Sequence, residues 1–339
     1  MAEHSEKLEY VRRICAVTGK NARPDTENSG VAGTDLGIPF ADGDDLYLLF
    51  GDTFSEFWQK GRWINNCLAK VGRFSPGEGL SLSGFVCGGD GLAKELVTAK
   101  KEDKVQMTCI PTGAVSVGGV FYMFVMSIVT WKPRWTIEDC ALYISRDKGI
   151  SWEKSPEVHF SKEEAPSFGQ VFPLEVGEYV YLFGIPEARD GACKLARVPK
   201  EKLDNFEKYE YYIGNKGDAP VFVAGREGLR RMEKSAESVV IDAPCGEMSV
   251  MYNEYLKKYL AVYLGTSSPD MVFRTADRPW GPWSGRETVA LQKDYPGLYG
   301  GFVHEKLIAD GGKSVFFMMS EWQPYNVSLF EMRFKSDVR

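Results

Sequence analysis

Two aspartates, Asp35 in GTDLG and Asp52 in FGDTFSEFW, stand where their residue type and spacing could do chemistry. Asp52 follows the apolar run DLYLLF and is itself followed by a loop carrying Phe54, Phe57, Trp58 and, a little later, Trp63. A turn centred on Gly43 and Asp44 makes the flanking segments a hairpin in which paired positions sum to 87, and that register sets Asp35 opposite Asp52. A turn on Asp42 and Gly43 makes them diagonal neighbours; either register keeps both on one face, with Cβ atoms roughly 5 to 8 Å apart. Two carboxylates that close, sheltered from water, do not both ionise cheaply, so one takes up a proton while the other stays charged. Glycosidic bond cleavage requires such a pair: an acid for the leaving oxygen, and an anion acting on water or on the anomeric carbon. The aromatic residues after Asp52 would then form a wall for sugar rings. The same spacing also fits a purely structural role, with Asp52 capping the next segment through Thr53 and Ser55 and Asp35 bonding a turn.

The elements that must position the pair recur along the chain. Five apolar or aromatic runs stand out: DLYLLFGDTF from Asp45, VFYMFVMSIV from Val120, YVYLFGIPEA from Tyr179, KYLAVYLGTS from Lys258 and SVFFMMSEW from Ser314. Each is preceded, across a turn signal, by a second strand-like stretch, and each is followed by a third of more alternating character. The period of roughly 55 to 80 residues fits propeller blades with loop insertions. The expected fold is all-β: one five-bladed β-propeller over residues 1–339, with blades of four antiparallel strands near 30–105, 106–165, 166–240, 241–295 and 296–339. Residues 10–20 would close the ring as an outer strand. SRDKGISW, residues 145 to 152, fits the turn motif S-x-D-x-G-x-x-W of sialidase-type propellers, where Asp147 ties the backbone and Trp152 packs between blades. TADRPWGPW, residues 275 to 283, is a looser relative, and both are read as structural.

In a propeller, the start of each blade's first strand and the end of its second lie on one face near the axis. Gln170 and Glu247 occupy the first kind of position; Glu187 with Arg189, and Glu321 with Trp322, occupy the second. Glu187 or Glu247 would supply a supporting acid. Gln170, Arg189, Trp58, Trp63 and Trp322 are candidate substrate contacts, as are Trp131 and Arg134 in a loop that suits either sugar hydroxyls or a salt-bridged rim. His4, His159 and His304 have no partners at useful spacing, and no metal site is expected, although a structural cation in a central channel stays open. The three clustered arginines that a sialidase needs for its carboxylate substrate cannot be assigned to the inner strands.

The formal net charge of −6 argues against nucleic acid or an anionic membrane as partner. A poly- or oligosaccharide suits the composition better, and the chain is expected to act as a monomer without a cofactor. No phosphate-binding or dinucleotide-binding glycine motif is present in the context it needs. Seven cysteines at scattered positions read as reduced thiols. The polar N-terminus MAEHSEKLEYVRRIC has no apolar core of signal-peptide type, which leaves cytoplasmic location and secretion from a longer precursor both open.

Taken together, GTDLG with LLFGDTF, RVP and YEYYIG within residues 197 to 214, and DRPWGPW at 277 to 283 resemble the family of former domain-of-unknown-function proteins that includes the endo-D-arabinanases. The resemblance spans about residues 28 to 335, and the TDLG/FGDTF pair is its most specific part. It implies a five-bladed propeller glycoside hydrolase whose two essential aspartates match Asp35 and Asp52. The alternative function is a non-catalytic carbohydrate-binding or interaction propeller.

Overall fold

Runs such as Leu46–Phe50 are buried at every position, which is the pattern of a strand covered on both faces rather than one with a wet side. A computed structural model describes residues 4–266 and 268–338 and turns these runs into the second strands of five antiparallel sheets. The fold is a five-bladed β-propeller, as the repeat pattern predicts.

Packing groups the chain into two compact units. The first runs to Thr98 and takes in Glu247–Asp277 and the chain from Ser284 onward. It holds the sheet of Leu36–Asp42, Asp45–Phe50, Cys67–Ser75 and Gly79–Phe85, and the sheet of Cys245–Asn253, Lys258–Gly265, Asp270–Ala276 and Glu287–Ala290. Its third sheet combines Leu298–Ala309, Ser314–Glu321 and Asn326–Phe334 with Leu8–Ala16, which pairs antiparallel with the last strand, Leu8 opposite Phe334 and Ala16 opposite Ser328. That pairing is held by a buried carboxylate: Glu331 accepts from Tyr10 Oη (3.0 Å), Arg12 Nε (2.8 Å) and Ser314 Oγ (2.7 Å).

The second unit comprises Ala99–Gly246 and Arg278–Trp283. It holds the sheet of Thr108–Val117, Val120–Thr130, Thr136–Ser145 and Glu153–Ser161. A larger sheet joins Gln170–Val176, Tyr179–Ile185, Cys193–Pro199, Glu210–Lys216 and Ala219–Ala224, with Val239–Ile241 also pairing to Cys193–Pro199. A helix, Gly225–Lys234, follows this widened blade and buries Leu229 and Met232 in a core that includes Phe160, Phe168 and Tyr211. Repeat reading had no signal for the widening or the helix, because both are insertions outside the four-strand period.

In the turn at 145–152, Asp147 accepts from Ser145 Oγ (2.8 Å), Ser151 N (2.9 Å) and Ser151 Oγ (2.6 Å). Those bonds pull its carboxyl down to about 2. Trp152 packs on Phe121 of its own sheet, with centroids 6.5 Å apart, and its Nε1 donates to Gly149 O at 3.0 Å. Trp283 of the looser copy reaches Phe183 of the widened sheet. The seven cysteines are thiols rather than disulfides.

Candidate functional site

The hairpin turn falls on Gly43 and Asp44, and pairs from Asp42 and Asp45 up to Ile38 and Leu49 keep the expected sum of 87. A bulge at Gly37 then shifts the frame, so that Leu36 faces Phe50. Direct opposition of Asp35 and Asp52 is therefore corrected by one position: Gly51 N donates to Asp35 O at 3.3 Å. Leu36 and Gly37 both take φ of 70°, and a Cβ on Gly37 would stand 2.9 Å from Val327 Cγ1, so close approach to the last strand requires glycine there. Gly51 needs its missing side chain for another reason. A Cβ on it would collide with Asp35 Oδ1, so the carboxylate occupies the space that FGDTF leaves empty.

Asp52 is 7% exposed and accepts from Trp63 Nε1 at 2.8 Å. The residues after it form a strand, Thr53–Glu56, paired with Lys60–Ile64, in place of the open loop read from the sequence. Thr53 Oγ1 donates to Gly51 O (2.8 Å) and meets Thr34 Oγ1 (2.7 Å), which pins the backbone on both sides of the pair.

Asp35 Oδ2 accepts two phenols, Tyr299 Oη at 2.8 Å and Tyr325 Oη at 3.0 Å, while Ser320 Oγ accepts from Leu36 N at 2.8 Å. Tyr325 feels both acids: burial first, then the charge of Asp35, with Tyr299 and Asp52 adding, pushes its phenol well above its ordinary value. Asp35 is bonded to that hydroxyl, and the charge of Asp52 is near enough to act on it. Sequence reasoning did not name Tyr299 or Tyr325, although both obey its positional rule: Tyr299 lies in the first turn-out of Leu298–Ala309, and Tyr325 follows Ser314–Glu321.

The aromatic residues continue outward from the acids. Trp63 stacks on Phe54 at 6.0 Å, Phe54 meets the edge of Tyr325 at 5.8 Å, Tyr325 meets Trp322 at 5.6 Å, and Trp322 meets Trp58 at 6.1 Å. Trp322 is 53% exposed and Phe57 66%, whereas Trp63 is spent on Asp52 and Phe54. Trp58 and Gln59 take φ of 55° and 56° at the hairpin tip; with Leu36 and Tyr325 (67°), bulky residues in the left-handed region gather around the pair.

The other candidates divide between the units. Glu247, buried on Cys245–Asn253, shares the first unit with the aspartates. Gln170, Glu187, Arg189, Trp131 and Arg134 belong to the second. There Gln170 is buried, and its Nε2 has no hydrogen-bond partner among the described residues. Glu187, expected as a supporting acid, braces the fold here: one oxygen accepts from Ile137 N (2.8 Å) and the other pairs with Lys162 (2.7 Å). Arg134 pairs with Asp190 at 2.5 Å, which is the salt-bridged rim, and Trp131 meets Trp135 edge-on at 6.3 Å. His304 Nδ1 accepts from Lys306 N (3.1 Å), and burial pushes the ring down to about 4. Among the described residues, no group of three or more His, Cys, Asp or Glu side chains is placed to hold a metal ion.

Comparison with known proteins agrees with this architecture. The sequence model described as "Domain of unknown function (DUF4185)" matches residues 21–331. "Notoamide biosynthesis cluster protein J'" of Aspergillus versicolor is 30% identical over 311 residues, covering 86% of this chain and 82% of its own. Among solved structures, the GH43_1 enzyme from Xanthomonas citri superposes with a TM-score of 0.53 at 11% identity, over 90% of this chain and 88% of that one. Zg3597, a family 117 glycoside hydrolase from Zobellia galactanivorans, does so with a TM-score of 0.53 at 8% identity, over 99% and 93%. At such identities the likeness is one of fold, and the fold is one that glycoside hydrolases use.

Proposed function

This chain belongs to the DUF4185 family, and we propose that it is a glycoside hydrolase cleaving furanosidic linkages in a polysaccharide, an endo-D-arabinanase-like enzyme worked by Asp35 and Asp52. The observation that carries this reading is a pair of sheltered carboxylates, Asp35 bonded to Tyr299 and Tyr325 and Asp52 bonded to Trp63, beside exposed aromatic rings. Hydrolysis consumes one water. The electron pair of the C–O bond leaves with the departing oxygen, which takes a proton from one aspartate, while the other acts on the anomeric carbon or on the water that replaces it. The exposed faces of Trp322 and Phe57, with Trp58 beside them, suit the apolar face of a sugar ring.

A second reading, a carbohydrate-binding propeller without turnover, is favoured by one observation: those exposed rings would hold a glycan whether or not the carboxylates react. The test is a panel of arabinans, other furanose polymers and small aryl glycosides, the last included because a relative is named for a biosynthetic cluster. Released oligosaccharides are separated by length. The hydrolase reading expects products from a furanose polymer that disappear in Asp52→Asn and Asp35→Asn while glycan binding persists. Binding without products from any substrate supports the second reading instead.

A further inference from the structure

Asp35 and Asp52 face unlike surroundings. Tyr299 and Tyr325 both direct their hydroxyls at the same oxygen of Asp35, at 2.8 and 3.0 Å, and donors aimed at a carboxylate oxygen favour its charged form. The Tyr325 phenol is fixed before any ligand arrives. Its ring is 3% exposed, its backbone sits at φ 67°, its carbonyl accepts from Thr34 N (2.8 Å) and its N–H donates to Glu321 O (3.1 Å). Such a conformation in a bulky residue persists only where the surroundings over-determine it. Asp52 lies deeper than Asp35 and shares the Tyr325 hydroxyl's neighbourhood with it. Trp63 Nε1, which donates to Asp52 at 2.8 Å, favours its anion, while its burial and the nearby carboxylate of Asp35 raise the cost of charging it. Ionisable groups facing Asp35 include, besides Asp52, the two phenols and the thiol of Cys67, which burial pushes up to about 12 and so keeps neutral, with Arg62 acting on that thiol from the short hairpin.

We propose that Tyr299 and Tyr325 are positioning residues that hold Asp35 as the anion of the pair and leave Asp52 as the proton donor to the departing oxygen. The division of roles rests on the hydrolase reading above. In the reaction, the Asp52 proton goes to the leaving oxygen as the C–O bond breaks, water supplies the hydroxyl that ends on the sugar, and the second proton of that water returns the enzyme to its starting state. Asp35 carries negative charge into the step and neutralises the positive charge that develops on the sugar ring.

The protonation states are read without substrate, by carbon NMR of the full chain labelled at its aspartate carboxyls, with Asp35→Asn and Asp52→Asn assigning the two signals. Asp35 is expected to titrate below Asp52. Tyr299→Phe and Tyr325→Phe, which keep both rings, are each expected to raise the Asp35 midpoint by about one unit and to lower that of Asp52. If a furanose polymer is cleaved, the acid limb of kcat/KM moves up in the same variants. An Asp52 midpoint below that of Asp35, or phenol removal that leaves Asp35 unmoved, overturns the assignment. Order of titration in the unsubstituted protein decides the question even if one variant fails to fold. Since no turnover is needed, a failure of the arabinan panel and a failure of this assignment are separate results.

Discussion

Tyr325 places its hydroxyl 3.0 Å from the carboxylate of Asp35 although 290 positions separate them, and Tyr299 does the same across 264. The candidate site is therefore assembled where the last blade meets the first, both within one compact unit. The same seam carries the backbone bond from Thr34 N to Tyr325 O and the bond from Leu36 N to Ser320 Oγ. Closing the fold and shaping the acid pair use the same atoms.

Gly51 tests that economy of space. Gly51→Ala sets a methyl against Asp35 Oδ1 and 3.3 Å from Leu36 Cδ1, so the carboxylate must move. Turnover is expected to fall at least tenfold. Gly77→Ala, whose new Cβ meets nothing within 4 Å, is expected to leave both turnover and Tm unchanged. Equal activity in the two variants would remove Asp35 from the chemistry.

The exposed Trp322 and the half-buried Trp58 should act on binding and hardly on folding. Trp322→Ala and Trp58→Ala are each expected to weaken glycan affinity several-fold while shifting stability by only about 0.5 kcal/mol, as surface substitutions do. Their rings touch, so the double variant should lose less than the sum of the two. Isothermal calorimetry against arabinan oligosaccharides on an Asp52→Asn background reads this directly.

Acid stability follows from His304. Its ring is held near 4 in the fold, against 6.5 for an unburied histidine, mainly by burial. Between those values the unfolded chain binds the extra proton and the folded chain does not, so the His304 contribution is complete above about 6.5 and is lost as pH falls toward 4. With allowance for the ring's partial exposure this amounts to roughly 2 kcal/mol. Urea unfolding from pH 7 to 4 should show the decline, and His304→Asn should flatten it.

Glu331 tests the closing strand. Its buried carboxylate receives Tyr10, Arg12 and Ser314, and Glu331→Ala leaves those donors facing an apolar gap. Arg12 is 59% exposed on its side chain, so water compensates part of the loss, and about 2 kcal/mol of destabilisation is expected. A lowered urea midpoint with turnover intact at low denaturant is the predicted outcome; an unchanged midpoint would show that the strand is held by its backbone ladder alone.

Much of this protein was legible because its information is local. Apolar runs at a regular spacing identify strands and their repetition, the Gly43–Asp44 turn follows from its residue types, and a carboxylate at the end of a buried strand marks Asp52 as unusual. The shape of the pair was not legible. The bulge that shifts Asp35 by one position has its cause in Val327 and Ser320, far along the chain, and Glu187 became a brace through Lys162 and the Ile137 backbone. Tyr299 and Tyr325 carry no mark in their own neighbourhoods of a bond to Asp35. Strand period and turn chemistry depend on neighbours a few residues away, whereas the charge and orientation of a side chain depend on whatever the folded chain brings within 3 Å of it. Sequence determined which residues were available to react, and tertiary structure decided what surrounds them.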